Sequence, residues 1–161
     1  MHTIQFDNAE FLPYVCELAN EGKNVTIRAK GNSMRPFVES ERDEVVLCKL
    51  GDVKVGDVVL AEISPGRFVL HRIDAIQGDK VRLRGDGNVG QVEFCRLSDI
   101  KASAFQFIRK GKTYNLSDKT WKIYSWIWVR LIPVRRYCLA LYRLLWLGQV
   151  PARVKRLIHN S

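Results

Sequence analysis

Ser33 lies in the segment KGNSMRPF, residues 30–37, at the point where a strand pattern breaks. A serine hydroxyl becomes an effective nucleophile when a base removes its proton and backbone N–H groups stabilise the oxyanion. A turn that follows a strand can supply such N–H groups, and Gly31 permits a close approach of the main chain. The alternative is a simple turn, in which serine is a common residue. The choice depends on whether the chain also provides a base.

His71 is the candidate base. It lies in the middle of RFVLHRIDAI, residues 67–76, on the same side of a predicted strand as Val69 and Ile73. A neutral imidazole in this position can act as a general base, although a histidine on an apolar strand face is also a common core residue. The other two histidines lie at the ends of the chain, where order is least expected.

Five short segments follow one another in the order GNSMRP, RDEVVL, VGDVVL, FVLHRI and RGDGN. This ordered set resembles the motifs of type I signal peptidases and of the related self-cleaving LexA-like repressors. In that superfamily the serine of a G-x-S-M-x-P turn is the nucleophile, and the base lies on the following β-meander. The pair His71-Arg72 resembles the signal peptidases that use a histidine followed by arginine in place of a lysine. The similarity covers roughly residues 24–109.

The resemblance implies a catalytic dyad of Ser33 and His71. Main-chain N–H groups near the serine would form the oxyanion hole. The candidate oxyanion and substrate-binding residues are Asn32, Ser33 and Met34, although Met34 can equally pack beneath the turn. The resemblance implies no metal and no organic cofactor.

A carboxylate that holds the imidazole in one tautomer would complete the site. Asp86, in RGDGN, is the first candidate for this role, Glu93 is the second, and Asp99 is the third. The alternative for Asp86 is a turn carboxylate that caps its own backbone.

The function that the resemblance implies is a serine endopeptidase that cleaves a leader or precursor peptide through an acyl-enzyme. An alternative keeps the fold without catalysis, which leaves a peptide-binding or maturation partner at the membrane surface. A third hypothesis, an autoproteolytic repressor domain, requires a cleavable linker and a DNA-binding helix-turn-helix. The one short N-terminal helix of the prediction provides neither.

The elements that position these residues follow from the apolar spacing. Apolar residues three and four apart predict an amphipathic helix over residues 8–21, closed by Gly22. Beyond Val25 the period changes to two, which predicts strands at 25–29, 44–50, 57–63, 67–76, 80–85 and 101–109. Hairpin-turn composition at residues 64–66 and 77–79 predicts an antiparallel meander over residues 57–85.

The expected fold is mainly β, α+β by content. Coiled antiparallel sheets would form a partial barrel of the signal peptidase and LexA-like type, with an N-terminal helix and a helical C-terminal tail. The expected divisions are the helix at 1–22, a β-rich peptidase-like domain at 23–118 and the tail at 119–161.

The formal net charge of +9 resides in that tail. No acidic residue follows Asp118, whereas nine basic residues do, and all four tryptophans lie in the same segment. This composition predicts a basic, tryptophan-rich amphipathic helix pair. Two interpretations remain open, packing on a face of the sheet and docking on an anionic membrane surface. Nucleic acid is not an expected partner, because no recognition motif accompanies the charge.

The N-terminal residues do not have the basic and apolar regions of a signal peptide, and no window contains eighteen uninterrupted apolar residues. A cytoplasmic location is therefore expected, with peripheral attachment at the inner face of the membrane left open. The four cysteines are widely scattered without a CxxC pair, which predicts free thiols and no zinc site.

Overall fold

The computed structural model describes residues 8–146 of the chain. The fold is of the mixed α+β class, with one antiparallel sheet, an N-terminal helix and two C-terminal helices. The elements in chain order are α1 (Asn8–Asn20), β1 (Val25–Arg28), β2 (Glu44–Cys48), β3 (Val58–Ser64), β4 (Arg67–Gln77), β5 (Lys80–Arg84), β6 (Glu93–Arg96), a 3-10 helix (Leu97–Asp99), β7 (Ile100–Arg109), β8 (Lys112–Asn115), α2 (Lys119–Arg130) and α3 (Arg135–Trp146).

The eight strands form one open sheet in the order β1-β2-β7-β3-β4-β5-β6, and β8 pairs with β7 off this path. The predicted meander is confirmed, because β3, β4 and β5 are successive antiparallel neighbours. Over the described residues the sheet does not have the expected strongly coiled, barrel-like curvature. Closure would require pairing between β1 and β6, and the strands within residues 8–146 make no such pairing. The short strands β6 and β8 lie outside the predicted strands, since the segments EFCR and KTYN do not alternate between apolar and polar residues.

The sheet carries an apolar core on each face. Along β3, Val58 and Leu60 belong to the core that also contains α1 residues, whereas Val59 and Ala61 belong to the core on the other face. We call these the helix-side core and the far-side core. Because β3 is covered on both faces, it reads as a continuous apolar run instead of an alternating pattern.

Both α1 and α2 pack into the helix-side core. Trp121 of α2 lies 4.4 Å from Phe37 and 5.1 Å from Phe107, measured between ring centroids. Phe37 belongs to the loop that connects β1 to β2, so this aromatic cluster joins the loop, the sheet and α2. The packing interpretation of the tail therefore holds for the inner face of α2.

The inner faces of the two C-terminal helices are small. Trp121, Ser125 and Trp128 of α2 are buried, as are Arg135 and Leu139 of α3. None of the helices within residues 8–146 combines the length and the apolar character needed to cross a bilayer.

Candidate active site

Residues 29–43 form the loop that carries Ser33, and we call it the nucleophile loop. Two turn hydrogen bonds shape it, from Arg35 N–H to the Asn32 carbonyl (3.2 Å) and from Val38 N–H to the Met34 carbonyl (3.0 Å). The side chains of Met34 and Val38 are buried in the helix-side core, whereas Ser33 is half-buried. Met34 thus packs beneath the turn, and Ser33 is presented from it.

The nucleophile loop lies directly against the glycine-containing turn that follows β5. Gly87 N–H donates a 2.7 Å hydrogen bond to the Ser33 carbonyl. A Cβ added to Gly85 would lie only 2.9 Å from the Ser33 Cβ and closer still to the Ser33 carbonyl oxygen. A Cβ on Gly87 would lie 2.7 Å from the Asn32 carbonyl oxygen. The two glycines of RGDGN are therefore required for the close approach of the two loops.

His71 and Ser33 both lie near the end of the β4–β5 ladder. The β4–β5 register pairs Arg72 with Arg84, and continuing it by one residue places Gly85 across from His71. Directly opposed residues share a face of the sheet, with Cβ atoms about 5 Å apart. Ser33 occupies the space that a side chain at position 85 would fill, beside the last pair of the β4–β5 ladder and on the His71 side of it.

The hydroxyl of Ser33 is not hydrogen-bonded to any group within residues 8–146, and thus no hydrogen bond joins it to the ring of His71. Catalytic hydrogen bonds are often long or misaligned in the absence of substrate and tighten in the Michaelis complex. Ser33 and His71 therefore lie near the same end of the β4–β5 ladder, without a hydrogen bond between them.

The backbone around Ser33 offers free hydrogen-bond donors. Among the hydrogen bonds between residues 8 and 146, none uses the main-chain N–H of Asn32, Ser33 or Met34. Uncommitted N–H groups beside a nucleophile are what an oxyanion hole requires. These are the three residues that the sequence indicated for this role.

His71 faces the carboxylate of Glu93. The Nδ1 atom of His71 lies 3.0 Å from Oε2 of Glu93, and both side chains are almost fully buried. The two atoms are at ion-pair distance but are not aligned as a regular hydrogen bond, and within residues 8–146 neither has another hydrogen-bond partner. With Nδ1 directed at Glu93, the other ring nitrogen, Nε2, is left for a second partner.

Burial lowers the pKa of His71 below its ordinary value of 6.5, because the charged ring loses solvation. The Glu93 carboxylate opposes this shift, since a neighbouring negative charge favours the imidazolium form. The imidazole is consequently neutral at neutral pH, as a general base must be.

Asp86, the first sequence candidate for orienting the histidine, forms a different pair. Its two carboxylate oxygens accept hydrogen bonds of 2.8 Å and 2.6 Å from Arg72 Nε and Nη2. Asp86 is fully buried and Arg72 is 2 % exposed. Burial alone would lower the pKa of Arg72, but the charge and hydrogen bonds of Asp86 raise it. The prediction for Asp86 is corrected accordingly, and Glu93, the second candidate, is the carboxylate at the histidine.

Arg72 also connects the sheet to α2. Its Nη1 donates to the Gly56 carbonyl (2.8 Å) and to the Ser125 hydroxyl (2.5 Å), and its guanidinium lies 5.4 Å from the centre of the Trp121 ring. Sequence reasoning did not assign Arg72 or Ser125 a role. Strand alternation was the available signal, because it places Arg72 on the face opposite to His71.

Asp99, the third candidate, has a local role. Its side chain accepts a 2.7 Å hydrogen bond from Arg96 N–H at the start of the 3-10 helix. The Asp99 carboxylate therefore caps the 3-10 helix, and this role does not involve His71.

A cleft of about 820 Å³ lies between the β2–β3 connection and α2. Its lining includes Lys54, Asp57, Phe105, Lys122 and Trp126. None of the predicted catalytic residues lines this cleft, so it is distinct from the Ser33 neighbourhood. Nowhere in residues 8–146 do three or more histidine, cysteine or acidic side chains cluster as metal ligands would.

Comparison with known proteins finds neither a family model nor a curated protein sequence that matches this chain.

The glycine contact can be tested by adding one carbon. We expect Gly85→Ala to displace the nucleophile loop, because the new Cβ would meet backbone and Cβ atoms of Ser33. The free energy of unfolding should fall by about 1–3 kcal/mol, measured by urea denaturation. Gly90→Ala is the matched control, since a Cβ there has no atom within 4 Å. Equal stability of the two variants would contradict the contact.

Because the two carboxylates have different partners, we predict that their substitution lowers the free energy of unfolding by different amounts. Asp86→Asn should lower the free energy of unfolding by about 3–5 kcal/mol, because it leaves Arg72 charged and buried without its counterion. Glu93→Gln should cost only about 1 kcal/mol at a pH where His71 is neutral. Denaturant unfolding of both variants under identical conditions measures the difference. A larger loss in Glu93→Gln would refute this assignment.

Proposed function

We propose that the protein is a serine endopeptidase of the signal peptidase type. Ser33 is the nucleophile, His71 is the general base, and Glu93 orients the imidazole and stabilises its protonated form during the reaction. The observation that carries the proposal is the position of Ser33 over Gly85, across from His71, whose ring faces a buried carboxylate. The order of the elements, with the serine loop after β1 and the histidine on the β3–β5 meander, agrees with the resemblance to the LexA-like fold.

The mechanism is acyl transfer. His71 Nε2 takes the proton of the Ser33 hydroxyl as the oxygen attacks the peptide carbonyl carbon. Glu93 stabilises the imidazolium that forms, in the manner of the third member of a serine triad. The imidazolium then protonates the leaving amine, the C–N bond breaks and an acyl-enzyme remains. A water molecule, deprotonated by His71, hydrolyses the ester and restores Ser33.

The negative charge of the tetrahedral intermediate develops on the former carbonyl oxygen. The uncommitted N–H groups of residues 32–34 are the donors for this oxygen. The Ser33 carbonyl is held by Gly87 N–H at 2.7 Å, which limits rotation of the peptide groups that carry these donors. The glycine turn thus contributes to catalysis by holding the oxyanion hole in place.

The substrate would bind as an added strand. Among the described strands, β1 pairs with β2 along one side only, and its other edge is unpaired. This edge, Val25–Arg28, leads within five residues to Ser33. An extended leader or precursor peptide aligned along β1 would gain main-chain hydrogen bonds and would pass the nucleophile.

A second candidate function is a peptide-binding or maturation partner without catalysis. The observation that favours it is the absence of a hydrogen bond between the Ser33 hydroxyl and His71 within residues 8–146. In that case the β1 edge would hold a peptide without cleaving it.

Cleavage of a synthetic peptide library, read by mass spectrometry of the new termini, separates the two functions. We expect Ser33→Ala and His71→Ala each to lower kcat/KM by at least about 10³-fold, because the nucleophile and its base act as a unit. Ser64→Ala, which changes an exposed serine at the end of β3, is the matched control and should retain activity. If wild-type protein captures peptides without cutting them, the binding function replaces the peptidase.

The pH profile tests the pair of His71 and Glu93. Since only the neutral ring accepts the serine proton and burial lowers the pKa of His71, the acid limb of kcat/KM should lie below pH 6.5. Glu93→Gln removes the larger of the two carboxylate charges that raise this pKa, the other being that of Asp86, so the limb should move further to acid while kcat falls by about 10²-fold or more. Rates measured on one cleaved peptide from the library, over the pH range in which histidine titrates, give both the position of the acid limb and the change in kcat. A limb that moves toward alkaline pH would contradict the pairing.

A further inference from the structure

The C-terminal helices expose an apolar surface to solvent. We call it the outer hairpin face, and its largest members are 42–67 % exposed: Ile123, Trp126, Ile127, Tyr137, Leu141 and Leu145. In α3 the residues Tyr137, Leu141 and Leu145 are four apart, so they form one stripe along the helix. Large apolar side chains exposed in such number on two successive helices indicate an interaction site.

A helix that covers a sheet normally buries its apolar stripe, but α3 turns its apolar stripe toward solvent. Arg135 is 2 % exposed, whereas Leu141 and Leu145 are 56 % and 67 % exposed. Arg135 Nη2 donates a 2.6 Å hydrogen bond to the Trp128 carbonyl, and its guanidinium lies 5.0 Å from the centre of the Trp128 ring. These contacts with α2 direct Leu141 and Leu145 outward, so the interpretation of the tail as packing on the sheet does not extend to these leucines.

The charged side chains of α2 and α3 are all basic. Those that are exposed are Lys119, Lys122, Arg130, Arg136 and Arg143. The sequence contains no acidic residue after Asp118. A second copy of the same face would bring like charges together at close range, which disfavours self-association. An anionic partner with an apolar interior is the complement.

Aromatic and basic groups alternate as they do at membrane interfaces. The guanidinium of Arg130 lies 4.1 Å from the centre of the Trp126 ring, and that of Arg136 lies 4.6 Å from the centre of the Tyr137 ring. Amphipathic rings with adjacent cations are suited to the headgroup level of a bilayer. Apolar side chains beside them can reach the acyl boundary.

We propose that the outer hairpin face docks on an anionic lipid bilayer, with α2 and α3 lying in the plane of the surface. The inner face of α3 holds the nucleophile loop, because the Tyr142 hydroxyl donates a short hydrogen bond to Glu39. Glu39 also accepts a 2.8 Å hydrogen bond from Arg35, two residues after Ser33. If the proposed peptidase function holds, docking places the nucleophile loop roughly one helix diameter, about 10 Å, from the lipid.

Co-sedimentation of the full-length protein with vesicles tests this proposal. We expect binding to vesicles of phosphatidylcholine with phosphatidylglycerol and little binding to phosphatidylcholine alone. Leu141→Glu/Leu145→Glu should weaken the partition coefficient at least about tenfold. Arg136→Gln/Arg143→Gln should weaken it about fivefold for each cation removed. Tyr14→Glu, at a residue of α1 that is 58 % exposed, is the matched control and should bind normally.

Each other occupant of the face gives a distinct result. Equal binding to both vesicle types, or unchanged binding by the leucine variant, would overturn the proposal. A dimer in analytical ultracentrifugation that the leucine variant abolishes, without lipid binding, would show a second copy. A large loss of thermal stability in that variant, without lipid binding, would show that the chain covers its own face. Ser33→Ala should bind vesicles normally, so failure of docking and failure of catalysis can be distinguished.

Discussion

The contact between the nucleophile loop and the glycine turn after β5 is the constraint on which the candidate site depends. It joins a segment that follows β1 to one that follows β5, although these strands are far apart in the order of the sheet. Interiors are packed densely enough that one extra methyl group at such a contact forces a displacement. The missing side chain of Gly85 therefore determines where Ser33 can lie, because it lets the nucleophile loop pack against the end of the β4–β5 ladder.

Two adjacent residues of β4 have different electrostatic partners because strand residues alternate between faces. His71 lies on the face of the far-side core and meets Glu93, whereas Arg72 lies on the helix side and meets Asp86. A buried cation needs a nearly ideal counterion, which Asp86 provides with both oxygens. The histidine needs a carboxylate that holds its ring while the ring stays neutral. Asp86 in the RGDGN turn is the counterion of Arg72, and Glu93 in β6 is the carboxylate that faces His71.

The C-terminal helices contact both the buried Arg72–Asp86 pair and the nucleophile loop. Ser125 and Trp121 of α2 contact the Arg72 side chain, and Tyr142 of α3 contacts Glu39 in the nucleophile loop. The inner sides of the helices thus support both the buried ion pair and the loop that presents Ser33. Their outer sides remain apolar and basic. One hairpin consequently links the interior of the proposed site to the surface on which we infer the protein docks.

The sequence alone is enough for the local elements: α1, the β3–β5 meander and the basic tail follow from periodicity, turn residues and composition. The candidates Ser33 and His71, and residues 32–34 beside the serine, rest on the resemblance of the ordered motifs to the signal peptidase superfamily. Tertiary structure alone decided that the sheet is open, that Glu93 and not Asp86 faces His71, and that α3 turns its leucines outward. The physical reason is that these features depend on strand register and on contacts between residues distant in the chain. Local patterns do not encode either one.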